Sequence, residues 1–137
     1  MLDEQVKDVI QKFGLKDNKA ITFGHPKMKM KWVLPLAGVT IYSVEQFQPF
    51  FIYFDDNGIT FFPLDLNNKY QVMGKSFVAW NDLKSFKFKK GLIMEDEIQL
   101  QLENGKLEMK IPKSKAMNQW VKENNEYLIE HNHFCNN

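Results

Sequence analysis

The side chains able to ligate a metal, attack a substrate or move a proton are few, and their spacing limits what they can do. His131, His133 and Cys135 in "HNHFC" are all metal-competent. Three ligands within five residues of a terminal tail, with no fourth at a recognised spacing elsewhere, fall short of a closed zinc site. The expectation is a solvated, fraying tail. His25 precedes Pro26 in a turn signal and has no identifiable nucleophile to serve, so it lacks the partner that acid–base catalysis requires. In "MEDE", residues 94–97, three carboxylates stand in front of a strand pattern. Carboxylate pairs do proton chemistry when their surroundings separate their pKa values; here the pattern reads as an exposed acidic turn. The chain also lacks a phosphate-cradling glycine loop, a nucleophile elbow and a dinucleotide fingerprint. It is therefore expected to be non-catalytic, without metal or cofactor.

Binding is the remaining chemistry. All 18 basic residues are lysine, and the formal net charge is +1. Without the planar arginine fork, sequence-specific reading of nucleic acid is not expected, and no global field holds the chain on an anionic surface. Any anion or lipid contact has to be local. "KMKMKW" places Lys27, Lys29 and Lys31 on one side of an extended chain, with Met28, Met30 and Trp32 on the other. This reads first as the wet side of a strand, since lysines also deter edge-to-edge pairing. With Lys87, Lys89 and Lys90 of "KSFKFKKG" beside it, the row would become a patch for anionic lipid. The second candidate is aromatic. Phe50, Phe51, Tyr53, Phe54, Phe61 and Phe62 cannot all point to one interior if their strands alternate. Some are expected to meet a protein partner, a second copy, the N-terminal helix or a small apolar ligand.

The elements that position these residues follow from periodicity. Leu2, Val6, Val9, Ile10 and Phe13 recur at helical spacing, with Asp3 and Glu4 in the first turn and Gly14 as the stop, giving a helix within residues 1–16. From 20 to 112 the period is two, interrupted by turn signals at His25-Pro26, Asp56-Asn57-Gly58, Asn67-Asn68, Asn81-Asp82 and Asn104-Gly105. "FFIYFDDNGITFF" reads as one hairpin. In "EIQLQLENGKLEMKIP", Asn104-Gly105 predicts a type I′ turn that sets Leu102 opposite Leu107, Leu100 opposite Met109 and Ile98 opposite Ile111. Met117, Trp120, Val121, Asn124 and Leu128 form the stripe of a helix over 114–131, with Ser114 as its N-cap and 132–137 as the tail. With 137 residues, 44% of them hydrophobic and 14% aromatic, the chain suits one domain with an aromatic core. One cysteine, no apolar leader and no span-length apolar run point to a cytoplasmic protein.

This order of elements resembles the pleckstrin-homology-like (PH-like) superfold, in particular the small bacterial PH-like domains. The likeness is carried by "FFIYFDDNGITFFPLD", "AWNDLKSFKFKKGL", "IQLQLENGKLEMKIP" and the helix around Trp120, and covers residues 28 to 131. The resemblance implies an α+β fold of about seven antiparallel strands in a bent sheet or partial barrel, capped by a C-terminal helix, with the N-terminal helix as an addition. It also implies a binding or assembly role without catalysis, through a protein partner or homo-oligomer, with attachment to anionic membrane lipid as the alternative. Eukaryotic members that hold phosphoinositides use a basic pattern with arginine, which this chain does not contain.

Overall fold

The computed structural model describes residues 2–35, 43–113 and 119–135. Helix α1 (Asp3–Lys12) opens the chain, and Gly14, at φ +61°, lets the backbone turn away behind it. Strands follow: β1 (Ile21–Pro26), β2 (Met30–Lys31), β3 (Ser43–Val44), β4 (Phe50–Asp55), β5 (Gly58–Asp65), β6 (Gln71–Val72), β7 (Ser76–Ala79), β8 (Ser85–Lys89), β9 (Glu95–Leu102) and β10 (Gly105–Pro112). Helix α2 (Gln119–Glu130) and a short 3-10 turn at Asn132–Phe134 end the described chain. The fold is α+β. One antiparallel sheet runs in the order β6, β5, β4, β1, β10, β9, β8, with β7 also on β5, while β2 and β3 form a separate pair.

The β4–β5 hairpin turns through Asp56 and Asn57, with the Asp55 carboxylate accepting from the Asn57 and Gly58 amides. Its register sorts the side chains: Phe50, Ile52 and Phe54 share a face with Phe61 and Ile59, while Phe51 and Tyr53 share the other with Phe62. Both faces are covered. Trp32 stacks on Phe50 at 5.0 Å and meets Phe61 edge-on, and Phe54 packs against Phe86. On the opposite face Phe13, directly after α1, lies 4.9 Å from Phe62, and Phe51 meets Phe23 and Trp120. The six aromatic residues expected to form a contact surface are therefore core, none more than 5% exposed.

Helix α2 lies where β1 parts from β10. These two strands pair at His25 and Pro26, whereas residues 21–24 pair only with β4. Beside that gap, Asn124 Nδ2 donates to the Ile21 carbonyl at 2.8 Å and to the Asn18 carbonyl, and the Thr22 hydroxyl donates to Asn125 Oδ1. Trp120 is half-buried on Phe51, on the face opposite Phe54. The side chain that fills the Phe54 face from the C-terminal segment is His133 instead. Ser114 and Met117, expected in this helix, lie outside the described residues.

Four sequence expectations need correction. The β9–β10 hairpin pairs Gly105 with Leu102, Leu107 with Leu100 and Met109 with Ile98, so Glu103 and Asn104 occupy the turn. The pairing is shifted by two residues from the type I′ prediction, and neither Asn104 nor Gly105 has a positive φ. Tertiary contact explains the choice: a Cβ on Gly105 would sit 2.6 Å from Val33 Cγ1, and the Asn104 amide reaches the Val33 carbonyl. His25-Pro26 ends strand β1 instead of turning. "KMKMKW" is not one strand, because the Lys27 amide stays on the Glu108 carbonyl and only Met30 and Lys31 pair, with β3. The tail expected to fray holds a buried residue, His133 at 7% exposure.

Candidate functional site

The expected lysine patch divides. Lys27 Nζ lies 3.4 Å from Glu97 and 3.8 Å from Glu108, and Lys29 Nζ lies 3.4 Å from Glu45, so these two charges are already met. Lys31 is exposed on the separate β2–β3 pair. Lys87, Lys89 and Lys90 stay together on and just beyond β8, all exposed and without an ion pair among the described residues.

"MEDE" is not an exposed acidic turn, since Asp96 and Glu97 are 2% and 6% exposed. Alternation along β9 sends them opposite ways. Glu97 faces outward between Lys89 of β8 and Lys110 of β10. Burial alone would raise its carboxyl, but hydrogen bonds from Gln99, Lys110 and Lys27 outweigh that and hold it at about 2. Asp96 faces inward and clamps the loop before it. Its Oδ1 accepts from the Gly91 amide at 2.9 Å and lies 2.9 Å from Lys113 Nζ. Lys113 Nζ also donates to the Gly91 carbonyl at 2.7 Å, and its amide donates to the Met94 carbonyl. The Glu95 carboxylate is held by His25 Nε2 at 3.0 Å. Only glycine fits at position 91, where a Cβ would stand 1.7 Å from the Glu95 carbonyl oxygen.

This clasp presents a tip that periodicity alone does not reveal. Leu92 is 100% exposed, Ile93 81% and Met94 62%, in the loop between β9 and β8, the strand that carries Lys87 and Lys89. Three consecutive large apolar side chains normally find cover. Here a buried carboxylate and a glycine fix the base from which they project into water. The available signal was that three apolar residues after a glycine, between strands of period two, cannot all join an alternating pattern.

Other surfaces are less specific. An open apolar groove of about 400 Å³ is lined by Phe23, Phe47, Pro49, Leu66 and Tyr70. Among the described residues no three His, Cys, Asp or Glu side chains gather as a metal group, and no helix is long and apolar enough to cross a membrane. His131 and His133 lie in separate surroundings, the first against Tyr127 and Phe134, the second against Phe54, Phe86 and Phe88. Compared with protein-family models, curated proteins and solved structures, the chain matches none.

Proposed function

We propose that this chain is a non-catalytic, PH-like binding module that docks on anionic membrane surfaces through the 91–94 loop. The single observation carrying this reading is the projection of Leu92, Ile93 and Met94 from a clamped base beside Lys87, Lys89 and Lys90. Burying one such apolar side chain is favourable by roughly 1.5–3 kcal/mol. A lysine near an anionic leaflet adds about 1 kcal/mol. The two contributions act at one end of one hairpin, so apolar insertion and headgroup attraction reinforce each other. The PH-like assignment is supported by two antiparallel meanders, β1-β4-β5-β7 and β8-β9-β10, joined where β1 pairs with β10 and followed by a C-terminal helix.

Vesicle co-sedimentation tests the proposal. Wild-type protein is expected to pellet with acidic vesicles, less with neutral ones and less at high salt. The Leu92→Ser/Ile93→Ser double variant is expected to lose at least tenfold in apparent affinity. Equal recovery on acidic and neutral vesicles, or a variant that binds like wild type, would refute it. The assembly reading rests on the open groove at Phe23, Phe47 and Leu66, which could seat a protein partner or a second copy. Light scattering that finds only monomer over a wide concentration range would remove the second-copy form.

A further inference from the structure

Behind the clasp lies a buried imidazole that the docking loop does not use. His133 is 7% exposed, with its ring 4.7 Å from Phe88, 5.1 Å from Phe54 and 5.6 Å from Phe86. Neither ring nitrogen has a hydrogen-bond partner among the described residues. A cavity of about 10 Å³, lined by Thr22, Asp96, Asn125, Ile129 and His133 among others, lies beside the ring, and Asn125 Nδ2 is also unpartnered. The segment is held by side-chain packing more than by its backbone. Its backbone hydrogen bonds run to Tyr127, His131 and Asn132 of the same stretch. Asn132, His133 and Phe134 take φ values of 52°, 54° and 57°, a left-handed run that non-glycine residues adopt at a cost.

The groups around the ring decide what a proton would do there. β4 and β8 offer only the rings of Phe54, Phe86 and Phe88, β10 offers Ile111, and α2 offers Asn125 and Ile129. Within its own segment, His131 is stacked on Phe134, outside the cage. The one facing charge is Asp96 of β9, whose Oδ1 already accepts from the Gly91 amide and lies 2.9 Å from Lys113 Nζ. A cation formed in this cage is set among aromatic and aliphatic side chains, where burial disfavours charge. Burial holds His133 at about 4, against a smaller upward pull from Asp96.

We propose that residues 131–135 form an acid-released plug: proton uptake by His133 expels the segment and uncovers an apolar lining of Phe54, Phe88, Ile98 and Ile111 for contact with membrane lipid. Asp96 borders this lining and also clamps the 91–94 loop, so the new surface opens beside the projecting tip. The lipid part of this inference rests on the docking reading above; the opening itself does not.

Hydrogen exchange without lipid, followed from pH 7.5 to 5 and corrected for intrinsic rates, measures the opening directly. Protection across 128–135 is expected to fall by up to about tenfold per pH unit below roughly 6.5, as one-proton linkage requires, while β4 and β5 stay protected. His133→Phe is expected to flatten this dependence. Unchanged protection in wild type, or an equal slope in His133→Phe, overturns the plug. Should that variant not fold, the wild-type ring can be titrated by NMR, and a titration at constant protection overturns it equally. Vesicle binding then separates the two readings. Wild type is expected to bind acidic vesicles more tightly at pH 5 than at pH 7.5, and His133→Phe to gain less. No binding at either pH overturns the docking loop and the lipid role of the plug, whereas binding without opening overturns the plug alone.

Discussion

Glu97 shows how a residue that resembles a catalytic carboxylate can be consumed by structure. It is 6% exposed, yet Lys27, Lys110 and Gln99 surround it. Removing its charge would leave two partly buried ammonium groups sharing a poorer acceptor. Glu97→Gln is expected to lower unfolding free energy by about 1–3 kcal/mol in denaturant titration. The sign of its pH dependence follows from the depressed value. A carboxyl at about 2, against an ordinary 4.5, contributes fully above pH 4.5 and loses that contribution as pH falls towards 2. Wild type should therefore show a steeper acid limb than Glu97→Gln in this window. His133 acts higher on the scale. Held at about 4 from an ordinary 6.5, its neutral burial weakens folding progressively as pH falls from 6.5 to 4, where the unfolded chain binds the extra proton.

Among the elements, α2 carries the most informative polar contacts. Asn124 and Asn125 sit mid-helix, where isolated propensity is unfavourable, because the gap beside β1 offers them a carbonyl and a hydroxyl. Asn124→Leu, which keeps the approximate size but cannot donate, is expected to cost about 1–3 kcal/mol by thermal or denaturant unfolding. Spacing alone puts Asn124 on the buried stripe, and it also locates α1, the β4–β5 hairpin and the inward Phe86 and Phe88 of β8. Local chemistry failed where a distant segment intervened. The β9–β10 turn was misplaced because Val33 approaches Gly105, although a slip of two preserves which face each side chain occupies. Hence alternation puts Leu100, Leu107 and Met109 inward, as they are, whichever of the two registers holds.

At the scale of the whole molecule, the sequence supplied the strands but not which surfaces remained open. Alternation says that Phe51 and Phe62 face away from Phe50; it does not say that Phe13 and Trp120 return from the two ends of the chain to cover them. Nor could it reveal that Asp96 joins Gly91 and Lys113 into the base of a projecting tip, since those three residues span 23 positions and meet only when β8, β9 and β10 align. The lysines were legible as residue types, while their pairing with Glu97, Glu108 and Glu45 was not.

The place of α2 beside β1 also bears on how the chain avoids self-recognition. A strand with one flank unoccupied is a template for any extended polypeptide that comes near. By occupying the carbonyl of Ile21, the asparagine side chain withdraws part of that template from circulation. A chain ended at residue 113 would carry the bare flank along with newly wetted Phe51 and Phe54, and it is expected to form concentration-dependent aggregates in sedimentation analysis while the full chain stays dispersed. Helix α2 would then act as an intramolecular chaperone, and synthesis would leave the molecule sticky until that helix emerged.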